Sequence, residues 1–106
     1  MSQPALAPAY VPTPRLTEVL CDHRLSPTSK VIYVLLDEMG RGRPVGIQQD
    51  DIASMLSLTR RTVIERLGEL RRFSYIQASA HITTQGKRMM TYRTRLNPED
   101  GSVVYH

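Results

Sequence analysis

Between Gln48 and Phe73 the apolar positions recur at helical spacing, break once, and recur again. Ile52, Met55 and Leu56 form the seam of one predicted helix, and the pattern runs out at Ser57-Leu58. Val63, Leu67 and Leu70 then fall three to four residues apart, so at about 100° per residue they line one buried stripe of a second helix. Thr59, just ahead of that stripe, offers a hydroxyl that accepts from the free N–H groups of the first turn. The opposite side of the second helix carries Arg61, Thr62, Glu65, Glu69 and Arg72, with Arg60 and Arg66 on its flanks.

Upstream, Ser26 followed by Pro27 is a helix start, a capping hydroxyl before a proline whose fixed φ suits the first turn. Val31, Ile32, Leu35, Leu36 and Met39 repeat behind it as a wide stripe, and Gly40 is the expected stop. Thr13-Pro14 starts a shorter helix to about Asp22, with Leu16, Val19 and Leu20 as its apolar side. The stretch 41–47 is too rich in glycine and proline for a helix, and Val45 and Ile47 are candidates for a short strand. Gln48 is a poor cap for the helix that follows, but Asp50 and Asp51 suit the positive end of its dipole.

After Phe73 the period changes from helical to alternating. Ile76, Ala78, Ala80 and Ile82 alternate with Tyr75, Gln77, Ser79 and His81, and Met90, Tyr92, Thr94 and Leu96 alternate with Met89, Thr91, Arg93 and Arg95, which marks two half-buried strands. Both keep their inward residues at even positions, so antiparallel pairing requires an odd-numbered loop. Pairing Ile82 with Met90 and Ala80 with Tyr92 centres it on Gly86, a residue free to take positive φ. The tip Gln85-Gly86-Lys87-Arg88 then projects two cations. Residues 97–101 are expected to turn, and residues 102–106 to form an added strand or a tail.

The run IASMLSLTRRTVIERLGEL resembles the helix-turn-helix of the winged-helix family. In that family a small residue of the first helix packs on the second, here Ala53, and a Ser/Thr-Arg-Arg-Thr-Val start opens the recognition helix, here Thr59, Arg60, Arg61, Thr62 and Val63. Ser57 departs from the glycine usual at the corner. The pattern SPTSKVIYVLLDEM also looks like the first helix of such domains in plasmid and phage replication initiators and small regulators. The resemblance implies an α+β fold, a three-helix core with a two- or three-stranded antiparallel wing, over residues 14–97. Residues 1–13 are then a proline-rich leading segment and 98–106 a closing turn and tail.

Composition narrows the function classes. The formal charge of +4 is unevenly spread: residues 1–57 balance at −1 and residues 58–106 at +5, which places the cations on the recognition helix and wing. Such asymmetry points to a polyanionic partner or, on charge alone, equally to a solvated helix face laced with Glu/Arg pairs. Cys21 is the sole cysteine, which excludes an internal disulfide and a thiolate cluster, and is read as a small buried hydrophobe. His23, His81 and His106 lack ligand spacing, so no metal is expected. No catalytic triad arrangement or phosphate-cradling glycine loop is present, so neither an enzyme nor a cofactor is expected. The apolar run at 31–36 is too short to span a bilayer, and MSQPALAPAY lacks the basic and apolar regions of a secretory signal, which favours the cytoplasm.

The resulting expectation is sequence-specific binding of double-stranded DNA. Arg61 and Thr62 enter the major groove from the Thr59-capped end, with Glu65 meeting a cytosine amino group or orienting an arginine. Arg60, Arg66, Lys87 and Arg88 reach phosphates, and Lys30 and Gln49 lie near helix starts that touch the backbone. A small transcriptional regulator, acting as a possible homodimer, is the first use; the DNA-binding part of a replication initiator is the second. A winged helix used for protein contacts is the alternative from another class.

Overall fold

The computed structural model describes residues 16–41, 43–94 and 103–106. Within them the chain forms helices α1 (Leu16–Leu20), α2 (Pro27–Gly40), α3 (Gln49–Leu56) and α4 (Arg60–Arg72), and strands β1 (Val45–Gly46), β2 (Ile76–Ile82), β3 (Arg88–Thr94) and β4 (Val104–Tyr105). The fold is α+β, a winged helix-turn-helix. The expectations for residues 1–13, for the Thr13-Pro14 helix start, for Leu96 and for the turn at 97–101 lie outside the described residues.

Local chemistry sets the helix ends. Ser26 is extended (φ −73°, ψ 156°) and its side chain accepts from the Ser29 amide, with Pro27 in the first turn. The helix stops at Gly40, but Arg41, not the glycine, takes the left-handed conformation (φ 47°) and returns its N–H to the Asp37 carbonyl. Gly40 is small for another reason. A Cβ there would lie 2.8 Å from Val45 Cγ2, so its absence lets β1 approach the helix. The buried face of α2 is also rotated from the predicted stripe: Ser29, Ile32, Tyr33 and Leu36 are buried, Leu35 and Met39 pack at the edge, and Val31 is exposed.

At the corner of the helix-turn-helix, Ser57 does adopt the left-handed conformation (φ 57°, ψ 45°), and the Leu58 amide closes back on the Ala53 carbonyl at 2.8 Å. That conformation costs a residue with a Cβ about 1 kcal/mol. The buried Ala53 leaves room for the close crossing, and Ile52 is fully buried. Met55, expected in the α3 seam, is 44% exposed, and Leu56 packs only partly. In α4 the stripe is as expected: Val63, Leu67 and Leu70 are buried.

The sheet runs β2-β3-β1-β4. β1 pairs antiparallel with β3, Val45 opposite Tyr92 and Gly46 opposite Thr91, so the strand expected beside the wing is in place. β4 adds a parallel partner on the far side of β1, which extends the two- or three-stranded antiparallel expectation to four strands. The β2–β3 register differs by two residues from the prediction. Ile82 faces Arg88, Ala80 faces Met90 and Ala78 faces Tyr92. Thr83 and Lys87 close the hairpin, the Gly86 amide donates to the Thr83 carbonyl at 2.8 Å, and Gly86 has φ 81°. Glycine therefore occupies the last loop position, the left-handed place after a turn, instead of the centre. The loop is odd-numbered as required, and Arg88 begins β3 and does not sit at the tip.

The core gathers Val19, Leu25, Ile32, Tyr33, Leu36, Val45, Ile47, Ile52, Ala53, Val63, Leu67, Leu70, Tyr75, Ile76 and Tyr92. Val19 alone of the α1 apolar side is fully buried; Leu16 packs at the edge and Leu20 is 43% exposed. Cys21 is exposed, contrary to expectation, because it follows the last turn of this short helix. The Tyr75 hydroxyl donates to Asp22 Oδ2 at 2.6 Å, Arg24 pairs with the same carboxylate at 2.7 Å, and the Arg24 guanidinium sits 4.3 Å above the Phe73 ring. Arg24 first, then Tyr75, hold the Asp22 carboxyl well below the usual carboxylate range.

Two polar features of α4 complete the frame. Glu69, expected on the outer face, turns inward: Oε1 accepts from the Ser26 amide at 3.0 Å, lies 3.1 Å from Ser26 Oγ, and accepts from the buried Ser29 hydroxyl. It thus satisfies the N-terminus of α2 from the neighbouring helix. Gly68 lies on the exposed side with nothing within 4 Å of where a Cβ would stand. Gly68→Ala should therefore stabilise the protein by about 1 kcal/mol, the helix-propensity difference, as read from urea unfolding. A loss of stability would mean that the exposed side of α4 is less open than its surroundings indicate.

Candidate nucleic-acid interface

The head of α4 is built from its own sequence. Thr59 is extended (φ −82°, ψ 156°), its Oγ1 accepts from the Thr62 amide at 3.1 Å, and its hydroxyl donates to Thr62 Oγ1 at 2.9 Å. Both hydroxyls are thus engaged in the cap, which fixes the direction in which the first turn points. Arg61 stands almost free, with 88% of its side chain exposed, and its Nε lies 3.3 Å from Glu65 Oε2. Of the two roles expected for Glu65, orienting an arginine is the one this geometry displays. An Nε–carboxylate bond leaves both terminal nitrogens of the guanidinium available as donors.

Arg60 points to the other flank, 3.7 Å from Asp50 Oδ1 across the helix-turn-helix corner. Together with Ile47, Gln48, Gln49, Asp50, Met90 and the wing residue Arg88 it lines a groove of about 350 Å³ between the head of α4 and the wing. The start of α3 opens onto it: Gln48 makes no side-chain cap and its Nε2 is buried without a hydrogen-bond partner, while its backbone carbonyl accepts from the Asp51 and Ile52 amides. Gln49 is tethered at 3.5 Å to the Tyr92 hydroxyl, which burial pushes up in pKa. Sequence reasoning assigned Arg60 to phosphate but missed its link to Asp50, since the two are joined only when the helices cross.

The remaining predicted residues divide. Lys87 and Arg88 are both exposed at the end of the hairpin. Arg66 is turned to the α2 side, with 29% of its side chain exposed and Nη1 3.8 Å from Glu69 Oε2, so it stands apart from Arg61 and Arg60. Lys30 lies in the first turn of α2, half-buried. Among the described residues no group of three His, Cys, Asp or Glu is placed to hold a metal ion, and no helix is long and apolar enough to cross a membrane.

With this geometry, residues 15–88 match the profile of the Crp-like helix-turn-helix domain. The chain belongs to the Crp-like helix-turn-helix family. That is a family of DNA-binding domains, and the matched span runs from α1 through the helix-turn-helix and the wing to the first residue of β3. No curated protein matches the chain closely enough to add a relative. β4, like the rest of β3, lies beyond the matched span.

Proposed function

We propose that this Crp-like domain binds double-stranded DNA sequence-specifically as a small transcriptional regulator in the cytoplasm, with α4 in the major groove and the β2–β3 hairpin against the flanking backbone. The observation that carries this reading is the uncovered head of α4, where 88% of the Arg61 side chain is exposed while Arg60 and Arg88 both line the adjoining groove. An α-helix fits the major groove, and arginine's planar fork matches the two acceptors of guanine. Thr62 and Glu65 then sit beside the bases. Arg60, Lys87, Arg88 and the open first turn of α3 with Gln49 set the register on phosphates. Arg66, held by Glu69, is the least available of the proposed contacts.

A mobility shift against mixed-sequence duplex at two salt concentrations, followed by site selection, tests the reading. Selected inverted half-sites would mark a homodimeric regulator, and directly repeated sites an initiator. An affinity indifferent to salt would instead support use of the domain for protein contacts. Neutralising Lys87 or Arg88 by alanine should each reduce the slope of log affinity against log salt by about 0.9, one phosphate contact's worth. A slope unchanged in both variants would remove the wing from the interface.

A further inference from the structure

The outer half of the wing has little beneath it. Ala80 and Ile82 point to the same side as the buried Ile76 yet are exposed, Ile82 by 63%, because the helical core ends below them. A hairpin extending past its core is free to swing, and cations on a swinging arm lose ordering entropy when they bind. On the opposite face of the sheet, however, a residue from the end of the chain reaches across. β4 is held to β1 by the Val104 amide on the Pro44 carbonyl at 2.8 Å and the His106 amide on the Gly46 carbonyl at 3.0 Å. The Tyr105 ring thereby lies over Gly46, where a Cβ would come within 2.8 Å of the ring and 3.2 Å of Met89 Sδ. Its hydroxyl is 3.0 Å from His81 Nε2, and the two rings meet edge to face with centroids 5.9 Å apart.

β2 and β4 are separated in the sheet by β3 and β1, so this contact ties the outer wing strand to the far edge across two intervening strands. His81 is next to Ile82, the last residue of β2, and Lys87 lines the same depression as His81, Met89 and Tyr105. We propose that Tyr105 is a positioning residue for the wing: by bridging from Gly46 to His81 it holds the β2–β3 hairpin so that Lys87 and Arg88 meet a duplex backbone already in place. This rests on the reading of Lys87 and Arg88 as backbone contacts. Tyr105 itself touches no DNA in this arrangement and acts through the hairpin.

Amide hydrogen exchange on the free full-length chain reads the positioning without DNA, and anisotropy with a labelled mixed-sequence duplex at low salt reads its consequence. Tyr105→Ala and, from the other end, His81→Ala should speed exchange at residues 80–89, and Tyr105→Phe, which keeps the ring over Gly46, should do so less. Tyr105→Ala should weaken duplex binding about fivefold, the worth of one hydrogen bond's preorganisation. That deficit should vanish when Lys87→Ala and Arg88→Ala are also present, whereas a general loss of structure would persist in that background. Unaltered exchange at 80–89 with duplex binding intact, or a deficit that survives removal of both cations, overturns the role of Tyr105 alone. A wild-type chain that retains no duplex would end the DNA reading, and this role with it.

Discussion

Glu69→Ala should lower the stability of the protein by about 3 kcal/mol at neutral pH, read by urea unfolding, with a fall in Tm of roughly 15 °C for a domain of this size. The carboxylate is the acceptor for the Ser26 amide and for the hydroxyl of Ser29, which is fully buried, and it lies within reach of the Ser26 hydroxyl. A hydrogen bond to a charged acceptor contributes about 1.5–3 kcal/mol, and a buried donor left without a partner costs a similar amount. Loss of the ion pair with Arg66 adds little, since at 3.8 Å and 29% exposure it is screened by water. Glu69→Gln retains a carbonyl acceptor and should forfeit roughly half as much.

The pH dependence gives the prediction its signature. Burial pushes the Glu69 carboxyl up, but the Ser29 hydroxyl, the Ser26 amide and hydroxyl and the Arg66 charge together outweigh it, so its pKa in the folded protein is lowered. A group depressed by folding contributes stability that is complete above its unfolded pKa and disappears as pH falls through the folded value. The gap between wild type and Glu69→Ala should hold from neutral pH to about pH 5 and narrow once the pH drops below the ordinary glutamate range of about 4. Asp22 is depressed as well, but it is present in both proteins and cancels from the difference. A gap below about 1 kcal/mol at pH 7, or one that widens in acid, would show that Ser26 and Ser29 find other acceptors.

Glu69 also marks where the sequence stopped being legible. Features that depend on neighbours in the chain were readable: the Ser26 and Thr59 caps, the Val63, Leu67 and Leu70 stripe, and the alternation of the two wing strands. What the sequence left open is settled by contacts between distant segments. A glutamate on the polar side of α4 reads as solvated until α2, 43 residues away, brings its uncapped amide to it. Val31 and Met55 belong to apolar stripes wider than the faces that the partner helices cover, and nothing local says which edge is left in water. The hairpin parity followed from the inward residues, but its register depends on whether glycine sits at the middle or the end of the loop, and both satisfy the alternation. The same division holds at the interface. The cap and the Arg61–Glu65 pair are intrahelical and could be read, whereas the Arg60–Asp50 link, the turning of Arg66 toward α2, and the reach of Tyr105 to His81 required the fold.

Arg61→Ala should reduce affinity for the selected site by about 10- to 100-fold, the 1–3 kcal/mol of one bidentate base contact, while affinity for mixed-sequence duplex falls far less. The asymmetry follows from how the residue is held. Glu65 takes the Nε–H of Arg61 at 3.3 Å and limits the side chain's rotation, so the fork presents its two terminal nitrogens outward in a restricted set of directions. The pair is exposed and contributes little to stability by itself, so unfolding should be nearly unaffected and the loss assignable to recognition. Arg61→Lys separates charge from shape: it keeps the cation, and hence most of the salt slope, but cannot donate two parallel bonds from a plane, so it should relax sequence preference almost as much as alanine. Glu65→Gln should fall between, since the amide still meets Nε–H but loses the charge that steadies it. Quantitative selection from a random duplex pool, run side by side for the wild type and these three variants, measures all of this at once. If Arg61→Ala recovered the same site with the same discrimination, the base-reading face of α4 would have to be placed on its other flank, around Arg60 and the groove it shares with the wing.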